Sequence, residues 1–121
     1  MEIEIIEGAF SVCKVADYSE VRLENPFCFV GHTDAERSLV CRTADVPSNI
    51  VKRDDGWRAF RVRGVLDFSL FGILSRISTL LAENGIGIFA VSTYDTDYIF
   101  VKKENFQKAL DVLSDAEYTV I

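Results

Sequence analysis

Histidine, methionine and tryptophan each occur once in these 121 residues, proline only twice, and the three cysteines share no CxxC spacing. With His32 alone, a base for Cys28 or Cys41 lacks a third partner, so a structural or solvent-facing histidine is expected and no catalytic residue is assigned. Cys13, Cys28 and Cys41, each in an expected strand, are odd in number and far apart in sequence. They supply neither a disulfide framework nor a zinc site and are expected to be reduced, apolar core members. Positive net charge is missing too: at −6 the chain repels nucleic acid phosphates. No apolar run approaches the roughly 20 residues of a membrane helix, and the acidic start Met1 to Glu7 lacks a signal peptide's basic head. The expectation is a cytoplasmic chain with no metal, cofactor, nucleic acid or membrane partner.

What is present is the balance of a globular chain, 49% apolar and 26% charged, long enough for one domain or two very small ones sharing a sheet. Trp57 to Leu66 alternates, with Phe60 and Val62 on one face and Arg61 and Arg63 on the other, which predicts a strand. The arginines read as a solvated or interface feature. Leu70, Ile73, Leu74, Ile77, Leu80 and Leu81 then recur at helical spacing. Asp67 or Ser69 can cap that helix, and Asn84-Gly85 can end it. Strands are expected from Ile86 to about Tyr94 and from Asp97 to Lys102. A second helix turns Phe106, Ala109, Leu110 and Leu113 inward, and a last strand covers Tyr118 to Ile121. This β-α-β-β-α-β order is the split ferredoxin-like unit.

The first half is a shorter echo. A shift of sixty positions lays Phe29 on Phe89, Thr33 on Thr93, and Leu39-Val40-Cys41 on Ile99-Phe100-Val101. Only about ten residues separate a first strand, Ala9 to Val15, from the next, Pro26 to Val30, too few for a full helix. The polar stretch from Asp45 to Asp55 has room for one short helix at most.

Between the two later strands, Ser92, Thr93, Tyr94, Asp95, Thr96 and Asp97 turn the chain without glycine or proline. Ahead of the helix, Asp67-Phe-Ser-Leu-Phe-Gly72 offers backbone N–H groups to a carboxylate, and Gly72 allows close approach. Asp95 or Asp97 can receive an ammonium or guanidinium. A free amino acid carries both charges. The plainer reading is a capping Ser69, a packing Gly72 and solvated turn carboxylates.

The runs Leu66-Asp-Phe-Ser-Leu-Phe-Gly-Ile-Leu74 and Gly85-Ile-Gly-Ile-Phe-Ala-Val-Ser-Thr-Tyr-Asp-Thr-Asp-Tyr-Ile-Phe-Val101 resemble ACT domains. They are most similar to tandem-ACT proteins related to the CASTOR arginine sensors and to aspartate kinase regulatory domains. The resemblance covers Trp57 to Ile121, and Ala9 to Asp45 resembles the weaker N-terminal unit. It implies sensing of a small molecule, usually an amino acid, between paired units. By position, Thr93, Tyr94 and Asp97, with Ser92 beside them, match ligand-contacting hairpin residues. Ser69, Leu70, Phe71 and Gly72 occupy the matching loop, although Leu70 and Phe71 are bulkier than the family pattern.

The expectation is therefore an α+β chain of two ferredoxin-like ACT units, 1–56 truncated and lacking a full first helix, 57–121 complete. It is expected to be a non-catalytic amino acid sensor and allosteric regulator acting as a homodimer on an unknown regulated partner. The alternative is a protein–protein interaction module that pairs without a metabolite.

Overall fold

The computed structural model describes residues 1–63 and 72–121. In chain order its elements are β1 (Glu2–Val15), β2 (Phe29–His32), β3 (Arg37–Arg42), a 3-10 turn (Thr43–Asp45), β4 (Ile50–Val62), α1 (Ile73–Glu83), β5 (Ile88–Ser92), β6 (Asp97–Lys102), α2 (Lys103–Asp115) and β7 (Thr119–Val120). This mixed α+β chain divides into two units, one of Met1–Glu7 with Arg58–Ile121 and the other of Gly8–Trp57. The first seven residues thus belong with the C-terminal half, and the later boundary falls between Trp57 and Arg58.

The reason lies in the register. β1 begins by pairing in parallel with β7, Glu2 against Thr119 and Ile3 against Val120. On its other side the Arg63 N–H bonds to the Glu2 carbonyl at 3.0 Å. Within this unit the strand order is β7-β1-β4-β6-β5, so the start of β1 separates two strands that a plain βαββαβ unit would place side by side. Apolar residues at alternate positions face the helices: Ile3, Phe60, Val62, Ile99 and Val101 form one core with Ile77 and Leu81 of α1. α2 adds Phe106, Ala109, Leu110 and Leu113, the four residues its sequence spacing selects. Each large apolar side chain buried in this way is worth about 1.5–3 kcal/mol of transfer free energy. Leu70, expected on the inner face of α1, and its proposed caps Asp67 and Ser69 lie outside the described residues. Gly72 occupies the N-cap position instead, with no side-chain cap bond.

The second unit is a four-stranded arrangement, β2-β3-β1-β4, with no α-helix in it. Its strands differ from expectation: β1 starts well before Ala9, and β2 starts after Cys28, which therefore precedes the strand. The core holds Cys13, Val15, Leu39 and Cys41, with Tyr18, Cys28 and Ile50 packed against them. All three thiols are free. Burial is the main cause that pushes each above the ordinary thiol value, Cys41 to about 12.

Sixty residues of offset survive as geometry. Phe29 pairs with Val40 as Phe89 pairs with Phe100, and His32 pairs with Arg37 as Ser92 pairs with Asp97. The echo ends where α2 would begin. Only the 3-10 turn Thr43–Asp45 forms, and Val46 adopts an extended backbone (φ −63°, ψ 124°). Pro47 explains this: it has no N–H to donate back to Thr43, and it disfavours the helical region for the residue before it.

Two glycines stand where the long strands pass from one unit to the other. Gly8 in β1 has φ +103° and Gly56 in β4 has φ +87°. Both values are costly for any residue with a Cβ, so each strand carries there a backbone conformation that glycine adopts readily.

Candidate functional site

The β5–β6 hairpin needs no turn glycine because its tip stays out of the left-handed region: among the described non-glycine residues only Phe27 and Glu117 have positive φ. Hydroxyls do the closing. The Thr93 N–H donates to the Thr96 carbonyl at 2.8 Å, and Thr93 Oγ1 donates to the same oxygen at 3.0 Å. Thr96 is buried, and its hydroxyl donates to the Val62 carbonyl at 2.6 Å, which fastens the tip to the end of β4. Ser92 Oγ donates to Asp97 Oδ1 at 2.6 Å across the last strand pair.

Beside this tip lies a cleft of about 320 Å³. β4 supplies Arg61 and Val62, Arg63 follows directly after it, β1 supplies Glu4, the tip supplies Thr93, Asp95 and Thr96, and β6 supplies Tyr98. Alternation along β4 turns Arg61 away from the buried Phe60 and Val62, as its spacing suggests, and Arg63 joins it in the cleft wall. Arg61 is committed within the wall: Nη1 donates to Tyr98 Oη at 2.9 Å and Nε to Glu4 Oε1 at 2.8 Å. The Tyr98 bond foremost, then the Glu4 bond, hold the guanidinium proton more tightly than usual. Arg63 and Asp95 are exposed and form no side-chain hydrogen bond or ion pair among the described residues. Among the described residues the cleft thus offers a cation and an anion without side-chain partners, Arg63 and Asp95, beside the Thr93 hydroxyl.

Of the residues singled out in the sequence, Thr93 lines the cleft. Ser92 and Asp97 bond to each other and are not among the wall residues, and Tyr94 stands out at the tip, 85% exposed. Gly72 holds a left-handed conformation (φ +77°), and among the described residues nothing lies within 4 Å of where a Cβ would stand. Ser69, Leu70 and Phe71 lie outside the described residues. Sequence reasoning missed Glu4, Arg61, Arg63 and Tyr98. The alternation of Arg61 and Arg63 was the visible signal, but nothing local says that Glu4 comes to lie beside them.

His32 is exposed and packs edge-on against Tyr18, with ring centroids 5.9 Å apart. Ser11 is fully buried and bonds to Asp55 at 2.5 Å and to Thr43 Oγ1 at 2.8 Å, and Asp55 continues to Arg53 at 3.0 Å, a polar cluster in which these bonds involve no histidine. Among the described residues no three His, Cys, Asp or Glu side chains are arranged to hold a metal ion, and no helix is long and apolar enough to cross a membrane.

A search of curated protein sequences gives no match. Among solved structures, a protein of Agobacterium tumefaciens is similar at 29% identity and a TM-score of 0.87, covering 99% of this chain and 91% of its own. A Vibrio cholerae protein described as of unknown function and possibly in transport is similar at 23% identity, with a TM-score of 0.70 and coverage of 94% and 88%. The regulatory subunit of aspartate kinase from Thermus thermophilus shares the fold at 10% identity, with a TM-score of 0.63 and coverage of 96% and 97%. The family model for the ACT domain matches residues 52–115, more than half of the chain. From β4 through α2, where the cleft and its hairpin lie, this chain belongs to the ACT domain family.

Proposed function

We propose that the chain is a non-catalytic regulatory module that binds a free amino acid in the cleft between the end of β4 and the Ser92–Asp97 hairpin. The observation that carries this reading is the pairing of an uncommitted Arg63 with an uncommitted Asp95 in one small cleft. Arg63 takes the ligand carboxylate, Asp95 takes the ammonium, and the Thr93 hydroxyl adds a hydrogen bond. Backbone amides before Gly72 remain part of the proposed carboxylate contact. Asp97, bonded to Ser92, shapes the hairpin, so Asp95 is the preferred anion for the ligand.

Membership in the ACT family and likeness to an aspartate kinase regulatory subunit support a regulatory role. The matched hairpin registers support reading Gly8–Trp57 as a reduced ACT unit, which makes the chain a tandem. In a cytoplasmic homodimer the site occurs twice, and occupancy passes to the assembly or to a regulated protein partner.

A thermal-shift screen of the twenty amino acids comes first, because a ligand that binds only the folded state raises the melting temperature. Calorimetry with the best ligand should then show binding lost in Arg63→Ala and in Asp95→Ala, and weakened only a few-fold in Asp97→Ala. Wild-type affinity in both of the first two variants would sink the proposal. The exposure of Tyr94 at the tip favours a second reading, a protein contact made without metabolite. In that case no amino acid shifts the melting temperature, and Tyr94→Ala weakens association.

A further inference from the structure

α1 has a second face beside its buried one. Ile73, Arg76, Leu80 and Glu83 recur along it in steps of three and four, forming one stripe. This stripe is one wall of a groove of about 570 Å³, whose other wall is the α2–β7 turn with Met1. Ile73 and Leu80 are partly buried, whereas Arg76, Thr79 and Glu83 are exposed. Among the described residues, neither Arg76 nor Glu83 forms a side-chain hydrogen bond or ion pair.

The spacing of those two charges selects the occupant. Seven residues of helix separate them by about 10.5 Å along the axis. The carboxylate and ammonium of an amino acid backbone lie far closer together, so one such molecule does not answer both. A helix carrying Glu and Arg seven residues apart in the reverse order does. α1 turned end for end is such a helix.

We propose that this groove receives α1 of a second copy of the chain, antiparallel, about a twofold axis passing between Thr79 and Leu80. Arg76 of each copy meets Glu83 of the other, the self-complementarity an isologous interface requires. Leu80 of one copy packs beside Thr79 of the other as ridge into groove. Glu117 on the opposite wall adds negative charge to the groove that the incoming Arg76 enters. A chain of net charge −6 repels its own copies at a distance, so a face carrying its own cation is where that repulsion is locally reversed. The inference does not rest on the ligand site, and none of its residues lines that cleft.

Sedimentation velocity on the full chain tests it, with circular dichroism to establish that each variant is folded. The wild type should sediment as a dimer at micromolar concentration, with dissociation promoted by high salt. Arg76→Glu and Glu83→Arg should each raise the dissociation constant by at least about tenfold, because each sets like charges against one another twice. An equimolar mixture of the two variants should regain the dimer: positions 76 and 83 are then both acidic in one chain and both basic in the other, which restores both pairs. A monomeric wild type, unchanged dimers in the single variants, or a mixture that stays monomeric would each overturn the proposal. Unchanged dimers would place the contact elsewhere, and a monomeric wild type that gains stability from a small ligand at this groove would assign the groove to that ligand.

Discussion

Thr96 contributes a buried hydroxyl whose one proton goes to the Val62 carbonyl at 2.6 Å. Thr96→Val keeps the shape, removes the donor and leaves that carbonyl without it, so we expect a loss of about 1–2 kcal/mol in urea denaturation. Thr93→Val, on an exposed tip, should cost less, because water replaces the hydroxyl. Equal losses would mean that burial of Thr96 is not what matters. The thiols give a pH signature. Their folded values are raised and those of the unfolded chain stay near the ordinary value of 9. Well below pH 9 the thiols are neutral in both states and contribute no pH dependence. Between 9 and about 12 the unfolded state loses Cys41's proton first, so stability falls as pH rises, by at most about 1.4 kcal/mol per unit for each thiol. Thermal melts from pH 8 to 11 should show that slope, and Cys41→Ala should reduce it. A slope unaffected by that substitution would assign it to other groups.

The elements separate what a local pattern dictates from what a distant partner decides. β6 and the inner face of α2 lie where alternation and helical spacing put them, because each needs only its own residues to choose a face. The sixty-residue echo was legible for the same reason: a two-strand hairpin is a local object, and Thr33 bonds to the Glu36 backbone as Thr93 bonds to that of Thr96. The early half of β1 was not legible as a central strand, since its neighbours β4 and β7 lie more than forty residues away in sequence. The glycines in the long strands were equally silent, as a sequence shows glycine but not φ. At Gly8 an added Cβ meets the left-handed backbone penalty and comes within 3.4 Å of Arg42 Nε. Gly8→Ala should therefore destabilise by about 1–2 kcal/mol, read from the denaturant midpoint. A midpoint equal to the wild type's would show that the backbone at position 8 relaxes at no cost.

Across the whole molecule, the unit that carries the cleft is assembled from both ends of the chain. Met1 and Ile3 carbonyls accept the Thr119 and Ile121 N–H groups at 3.0 and 2.9 Å, and Ile3 is fully buried in the core. A chain lacking its first seven residues loses these bonds and a core isoleucine worth about 2–5 kcal/mol. We expect its melting temperature to drop by about 10 °C or more, given the few degrees that each kcal/mol moves a domain of this size. An unchanged melt would show that β7 can pair directly with β4. The same arrangement sets a schedule during synthesis. At 5–20 residues per second, roughly 6 to 24 s pass between the emergence of Ile3 and that of Val120, its partner. Through that interval an apolar strand waits on the ribosome's surface with one of its neighbours not yet made. Glu2, Glu4 and Glu7, interleaved with Ile3, Ile5 and Ile6, give the waiting segment the charge that keeps such strands from joining one another.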